Sequence, residues 1–512
     1  LEEVELAREL ESSAIPPWRY PQKMLKAALW SSHQPSVYPV FLTNYGCGPD
    51  AFCLKQLKRL LPRTPHLVLE FDEHRGEAGL ITRLEAFADE VSQHRAASRT
   101  AVRLKRVENP EAWPPEELKE IPLVLPYFAD HAWAFAGALK KSGLKAEVLP
   151  PPDEHSLKLG ESYSSGKECH AYSFLLGDLL KLATDRKPEE RLIFFFPGAR
   201  YSCLLQQYGP AMRQLLQELG QDRILLLTPT LDYFWKLIGF DGLKSLYQGL
   251  VAVDNLVRIA CQLRPYEVNR GEVDQALQEG LRLIEEGLAS ESLAGALAKI
   301  KTRFSQIKVR PEDRPVIGIA GDIYTRQNSF ANNRLFEQLE ELGAEVWPSP
   351  FLVDEIDFTF SRGFYEKLAK GDLLETVKYA GLNLVREVNL AQVRKKLEFS
   401  DLKLKEPRFE ELLRSSLTYL NYNNNQTLFL NVARIIDFAR KGADGIINVI
   451  CFNCMLGTTA AAISRRIQKD FGDIPLPTLI YGETETVSTR SRLEAFMEQV
   501  KTRHRKKQLA VS

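Results

Sequence analysis

The sequence predicts an α/β protein built from parallel sheets with helices on both faces. Short apolar stretches typical of strands alternate with amphipathic stretches typical of helices along most of the chain. One order of strand, cysteine, helix, strand and helix occurs twice. The length of 512 residues exceeds the size at which a single core keeps growing, so about three domains are expected.

The repeat is the most specific of these observations, since each copy ends in the same five letters, RLEAF. The first copy comprises strand 38–43, Cys47, a helix to Leu61, strand 67–71 and RLEAF from Arg83. The second copy comprises strand 446–450, Cys454, helix 459–471, strand 478–481 and RLEAF from Arg492. Two copies of one unit imply two related modules. Because only the tail of the first module is present and the chain starts at Leu1, we expect a piece of a longer or partner-completed assembly.

Four segments follow from the pattern of elements. Residues 1–95 form a partial α/β unit, 96–230 an α/β domain, 231–306 a helical region and 307–512 an α/β domain with a helical insertion. The second and fourth segments are expected to be Rossmann-like (flavodoxin-like) domains. Their strands are predicted at 122–127, 146–149, 192–196, 223–228, 316–320 and 345–348, and their helices at 132–141, 171–184, up to 219, 333–342 and within 363–440.

Composition excludes several classes of protein. Lys+Arg and Asp+Glu both number 67, which argues against nucleic acid as the main partner. No run of 18 apolar residues is present, so no membrane-spanning helix is expected. Seven cysteines do not resemble a secreted disulfide scaffold, and a reducing cytoplasm is the default location.

Four cysteines share a context that suits metal binding. Cys47, Cys203 and Cys454 follow predicted strands and precede helices, and Cys169 directly precedes a helix. A helix N-terminus lowers the pKa of a thiol, and thiolate is the ligand of iron–sulfur clusters and zinc. Strand ends of a parallel sheet face one crevice, so these cysteines can converge there.

The other cysteines and polar groups give weaker signals. Cys53 and Cys261 lie on apolar helix stripes and are interpreted as core residues. Cys451 forms Cys-Phe-Asn-Cys with Cys454, yet Asn44 occupies its position in the first copy, so it is interpreted as a less favoured ligand.

Two neighbours of Cys169, Glu168 and His170, are the candidate catalytic residues. The acidic run 70–74 is interpreted as a solvated turn. Neither a phosphate-binding G-x-x-x-x-G-K-[ST] loop nor a G-x-G-x-x-G fingerprint is present. ATP binding in such a loop and nicotinamide binding in such a turn are therefore not expected.

Several motifs together resemble one protein family. They are NYGCGPD at 44–50, LEFDEHRGEAGLITRLEAF at 69–87, GKEC at 166–169, FPGA at 196–199 followed by Cys203, GADGII at 442–447 and NCM at 453–455. These segments resemble the C-terminal part of the long fused activase–dehydratase-like proteins of the 2-hydroxyacyl-CoA dehydratase superfamily. That superfamily also includes benzoyl-CoA reductase subunits and double-cubane-cluster proteins.

The resemblance implies a dehydratase-like two-domain architecture with an added partial repeat at the N-terminus. It implies a [4Fe–4S] cluster held by Cys169, Cys203 and Cys454. Cys47 then corresponds to the third cysteine of a preceding module or supplies a fourth ligand. The chain departs from the family pattern at His170-Ala171, where Tyr-Pro is common, and at Leu456, where Pro is common.

Three functions remain open at this level. The first is the iron–sulfur component of an ATP-dependent reductase or dehydratase, which makes the chain part of an enzyme. It would receive low-potential electrons from an activase on another polypeptide. It would pass them to a small substrate such as an acyl-CoA thioester. The second is an [8Fe–9S] double-cubane reductase, which needs six thiolates. The third is a non-catalytic scaffold that holds a cluster or zinc.

Overall fold

The computed structural model describes most of the chain between 18 and 511. Residues outside the description are 1–17, 35, 63, 73–75, 95–109, 111–112, 197, 199–202, 230, 291, 311, 352, 399–406, 408, 422–424, 483–485 and 512. Part of the acidic run at 70–74 and most of the segment between Phe196 and Cys203 therefore lie outside the described residues.

Each predicted strand is present, with at least one helix between consecutive strands. The helices Arg19–Ser32, Pro115–Leu118 and Glu154–Ser162 were not predicted. The helices are α1 (Arg19–Ser32), α2 (Pro49–Leu60), α3 (Glu77–His94), α4 (Pro115–Leu118), α5 (Ala132–Lys141), α6 (Glu154–Ser162), α7 (His170–Asp185), α8 (Tyr208–Glu218), α9 (Leu231–Leu263), α10 (Glu272–Ala289), α11 (Leu293–Ser305), α12 (Leu335–Glu341), α13 (Val353–Ala369), α14 (Leu373–Lys396), α15 (Phe409–Ser416), α16 (Gln426–Arg440), α17 (Met455–Asp470) and α18 (Thr486–Val511). The strands are β1 (Val40–Asn44), β2 (Leu67–Phe71), β3 (Leu123–Leu125), β4 (Ala146–Val148), β5 (Leu192–Phe195), β6 (Ile224–Leu227), β7 (Val316–Gly321), β8 (Glu345–Pro348), β9 (Gly445–Cys451) and β10 (Thr478–Tyr481).

The chain divides into two compact units, each formed by several segments. The first unit comprises Leu1–Ala112, His155–Arg191 and Pro197–Thr228; the second comprises Trp113–Glu154, Leu192–Phe196 and Pro229–Ser512. The fold is mixed α/β with parallel sheets, which confirms the predicted class. The domain boundaries at 95, 230 and 306 stay predictions.

The first unit contains the N-terminal copy of the repeat. Strands β1 and β2 pair in parallel, with Val40 opposite Leu67. Side chains of β1 alternate between exposed and buried, so one face of this pair packs inward. Its core joins α1, β1 and α2 through Leu25, Phe41 and Leu57.

The second unit contains a four-stranded parallel sheet in the order β10-β9-β7-β8. All seven residues of β9 are buried, which is typical of a central parallel strand covered on both faces. Helices α16 and α17 pack against β9, and Phe429, Ile436 and Ile467 contribute to the core there. In the same unit, β3 pairs in parallel with β4 and β5.

The helical region predicted at 231–306 corresponds to α9, α10 and α11. A break interrupts α9 at Gly239, whose φ is 65°. Among the described residues, no helix is both long enough and apolar enough to cross a membrane.

Helix α17 begins four residues earlier than the predicted 459. The reason is a cap, since the Cys454 side chain accepts a hydrogen bond from the backbone N–H of Gly457. This contact replaces one of the hydrogen bonds that a first helical turn lacks.

Both copies of the repeat form the predicted strand–helix–strand–helix order. In the first, the N–H of Tyr45 donates to the carbonyl of Phe71 at 3.2 Å; in the second, that of Phe452 donates to the carbonyl of Tyr481 at 2.7 Å. These four residues occupy equivalent positions, one beyond the first strand and at the end of the second. The resemblance between the copies thus extends to individual backbone contacts.

Candidate metal centre

Three potential ligands meet at the carboxyl ends of β7 and β9. Asp322 directly follows β7, Cys451 is the last residue of β9, and Cys454 caps α17. Their ligand atoms all lie within 4.8 Å of one another. Because β7 and β9 are parallel neighbours, their ends share one edge of the sheet, which is where open α/β folds bind ligands.

A close backbone approach positions Asp322. Gly321 has a φ of 143°, and a Cβ atom there would lie 1.8 Å from the carbonyl oxygen of Val449. That same carbonyl accepts the N–H of Asp322 at 2.9 Å. Only glycine fits this crossing without displacing β9.

Backbone donors hold the Asp322 carboxylate. Its Oδ1 atom accepts the N–H groups of Tyr324 at 2.9 Å and Thr325 at 2.8 Å, and its Oδ2 atom accepts that of Cys451 at 2.7 Å. Since each carboxylate oxygen has about two lone pairs, Oδ2 keeps one for a further partner. Burial raises the pKa of Asp322, and the N–H donors oppose that rise.

The loop between β9 and α17 brings the two thiols together. Asn453 adopts a left-handed conformation with a φ of 60°, and the N–H of Cys454 donates to the carbonyl of Cys451 at 3.1 Å. The N–H of Gly457 reaches the Sγ atom of Cys454 at 3.3 Å.

The expected lowering of the Cys454 pKa at a helix N-terminus is wrong for the metal-free thiol. A hydrogen bond with the Cys451 thiol and burial raise its pKa well above the usual value. The single N–H from Gly457 lowers it by less. A nearby cation is therefore needed to make thiolate the favoured form.

This donor set fits a transition metal. Two sulfurs and one carboxylate oxygen are ligands of zinc and of iron, and three protein ligands leave an open position. The described residues include one such group of three. The structure thus contains a possible metal-binding triad of Asp322, Cys451 and Cys454.

In the first unit, Cys169 lies in an aromatic environment. It is buried at the start of α7, and its Sγ atom forms a hydrogen bond with the hydroxyl of Tyr208. The Tyr208 ring lies 5.2 Å from that of Tyr172 and 6.0 Å from that of Phe52. These rings restrict access of water to the thiol.

Cys203 is partly exposed and precedes the short 3₁₀ helix Leu204–Gln207. It belongs to the first unit with Cys169, whereas Cys454 belongs to the second. A cluster held by Cys169, Cys203 and Cys454 therefore stays a prediction.

Glu168 is held in place by its neighbours. Its Oε1 atom lies 2.5 Å from Nζ of Lys55, and its Oε2 atom accepts the N–H of Ser165 at 2.9 Å. Burial alone would raise the pKa of Glu168, but Lys55 and Ser165 bring it below the usual range. Such a carboxylate is suited to holding a loop in place, because it does not readily take up a proton.

His170 is buried against the ring of Phe174, with 4.8 Å between the ring centres. Burial lowers its pKa to about 4, so the imidazole is neutral at physiological pH.

Cys47 is exposed, and its Sγ atom donates to the carbonyl of Asn44 at 3.7 Å. Gly46 has a φ of 60°, and a Cβ atom there would lie 2.9 Å from the Lys167 side chain. The left-handed backbone and the neighbouring lysine therefore both favour glycine at this position.

Cys53 and Cys261 are buried, as the sequence predicts, with 1% and 0% of their surface exposed. Cys53 packs in the apolar core of the first unit, whereas Cys261 lies beside the charged side chain of Arg264. Burial raises the pKa of Cys53 to about 12 and that of Cys261 further.

Sequence reasoning assigned Cys454 to the metal site, ranked Cys451 lower and missed Asp322. One signal was available for Asp322. It directly follows the predicted strand 316–320 and Gly321, at the strand end where ligands collect.

Comparison with known proteins adds no further identification, since neither a protein-family model nor a curated protein matches this chain.

Proposed function

We propose that this chain is the metal-bearing component of an ATP-dependent reductase or dehydratase system. It takes low-potential electrons from an ATP-hydrolysing activase on another polypeptide and transfers them to a small substrate, an acyl-CoA thioester being one candidate. The proposal rests on the triad of Asp322, Cys451 and Cys454 and on the family resemblance of the cysteine segments.

The residues of the triad offer the metal ligands that such a component needs. A bound iron–sulfur cluster supplies one-electron chemistry. Cys451 and Cys454 offer sulfur ligands from a strand end and a helix cap. Asp322 is oriented by three backbone N–H groups, so its Oδ2 atom stays directed at the same position.

A zinc-bearing scaffold is the second candidate, and the Asp322 carboxylate favours it. Iron–sulfur clusters are mostly held by cysteine alone, whereas zinc readily accepts a mixed set of sulfur and oxygen ligands. The double-cubane alternative is weaker. It needs six thiolates from seven cysteines, and Cys53 and Cys261 are buried with raised pKa values.

Anaerobic purification followed by iron, sulfide and zinc analysis tests the proposal. Iron and sulfide in comparable amounts, with an EPR signal after reduction by dithionite, support it. Zinc without sulfide supports the scaffold. A preparation that contains none of these, and binds none on reconstitution, contradicts both.

Two sets of variants complete this test. Cys169→Ala and Cys203→Ala each remove one ligand expected from the sequence. If both variants retain their iron, the metal ligands are those of the triad alone. Because the chain contains no nucleotide-binding loop, the purified chain alone should not hydrolyse ATP. ATP hydrolysis that co-purifies with this chain would contradict the assignment of that activity to a separate activase.

A further inference from the structure

The second unit contains a cavity of about 570 Å³ that involves none of the three metal-site residues. It lies among α9, α13, α14, α15 and the end of β8. Its volume falls in the range of small-molecule sites, and its walls are partly apolar and partly charged. Phe364, Tyr365 and Leu390 contribute apolar surface to it.

Three residues of α14 that line this cavity carry buried polar atoms. Among the described residues, Oδ1 of Asn383 and the Nε atoms of Arg386 and Arg394 are buried without a hydrogen-bond partner. Asn383 and Arg394 are eleven residues apart, which places them on the same face about 16 Å apart along the helix. Buried polar groups without partners are costly, so three residues that carry such groups in the lining of one cavity favour a ligand there.

Most carboxylates of the lining already have partners. Asp354 forms a two-point ion pair with Arg434, with both N–O distances at 2.5 Å. Asp357 lies 3.4 Å from Arg386 and accepts the hydroxyl of Tyr247 at 3.0 Å.

The remaining acids of the lining do not neutralise Arg394 either. Asp254 pairs with His131 at 2.8 Å, and Glu387 pairs with Arg386 at 2.6 Å. Glu410 is exposed to water, and within the described part of the chain it forms no ion pair. Arg394 forms none there either, although it is partly buried. Within the described part of the chain, the Arg394 guanidinium is therefore available for an anion.

We propose that this cavity binds a small organic carboxylate with an apolar or aromatic body. The carboxylate pairs with the guanidinium of Arg394, which presents its donors in a fork that matches two carboxylate oxygens. The body packs against Phe364, Tyr365 and Leu390. This site does not depend on the proposed metal centre.

Phenylacetate and its neutral analogue phenylacetamide test the proposal on the full chain by isothermal titration calorimetry. Phenylacetate should bind and phenylacetamide should bind at least about tenfold more weakly, because only the first carries a charge for Arg394. Arg394→Gln should weaken phenylacetate binding by a similar factor. Lys395→Gln removes an adjacent exposed charge outside the lining and should leave binding unchanged.

Several results would overturn the proposal. They are equal binding of acid and amide, full binding by Arg394→Gln, and no phenylacetate binding up to its solubility. If Arg394→Gln does not fold, Arg394→Lys serves instead. It keeps the charge but loses the fork, so reduced affinity for the acid supports the site and unchanged affinity contradicts two-point recognition.

Discussion

The backbone N–H of Cys451 donates to the Oδ2 atom of Asp322 at 2.7 Å. This hydrogen bond joins the ends of two adjacent parallel strands at the place where a second thiol, Cys454, begins a helix. The carboxylate of Asp322 is thereby held beside the two cysteines by a backbone contact.

Replacing Gly321 should disrupt this geometry. In Gly321→Ala the new Cβ atom would meet the carbonyl oxygen of Val449 at 1.8 Å, and the φ of 143° is unfavourable for alanine. We expect the free energy of unfolding to fall by about 3 kcal/mol or more, with loss of metal binding. Urea denaturation and metal analysis measure the two effects.

Gly381→Ala is the matched control, because a Cβ atom there contacts nothing within 4 Å and the residue lies inside α14. It should raise stability by up to about 1 kcal/mol. If Gly321→Ala were as stable as this control, the close approach of β7 and β9 would not hold Asp322.

Thiol reactivity should follow exposure. Iodoacetamide should modify Cys47 first under native conditions and Cys53 and Cys261 last, because the latter are buried and their pKa values are raised. Mass spectrometry of digests after short exposure gives the order. In strong denaturant all seven cysteines should react, and native labelling of Cys261 as fast as Cys47 would contradict the structure.

The stability of the first unit should depend on His170 and pH. Because its pKa falls from 6.5 to about 4 on folding, the unfolded chain binds more protons between these values, and stability falls as the pH drops through that window. Between pH 7 and pH 5 the loss from this residue is about 2 kcal/mol. Denaturation of the wild type and of His170→Gln at both pH values isolates the contribution of this residue to the stability. Equal pH dependence of the stability in the two proteins would show that the imidazole is not buried.

Glu168 and Lys55 should act as a structural pair. Lys55→Met leaves the Glu168 carboxylate, of which 1% is exposed, without its cation and should cost about 3 kcal/mol of stability. Lys145→Met, which breaks an exposed pair with Glu120, should cost much less stability, because water screens the two charges. Comparable losses of stability in both variants would show that the buried pair contributes no more than the exposed one.

Much of the fold could be predicted from the sequence, because strands and helices differ in hydrophobic period. Helix α5 and strand β8 have the predicted ends, and both copies of the repeat contain the predicted strands. The start of α17 was missed because it depends on a thiol as a cap, which residue preference does not reveal.

The site was predicted in part. Cys454 was found from its position after a strand, but Asp322 is 132 residues away in the chain. Its proximity to Cys454 follows from the order of β7 and β9 in the sheet, and single-sequence patterns do not determine that order. The Cys454 pKa was mispredicted because its thiol contacts Cys451, and that contact outweighs the helix N-terminus.

The metal content of the Cys451→Ser/Cys454→Ser double variant tests the central claim most directly. Wild-type protein purified anaerobically should carry bound iron or zinc, and Cys261→Ala, which alters a core cysteine, should retain it. The double variant should lose most of that metal while keeping its circular dichroism spectrum, because serine hydroxyls do not replace thiolate ligands. A folded double variant with the wild-type metal content would contradict the assignment of Asp322, Cys451 and Cys454 as the metal centre.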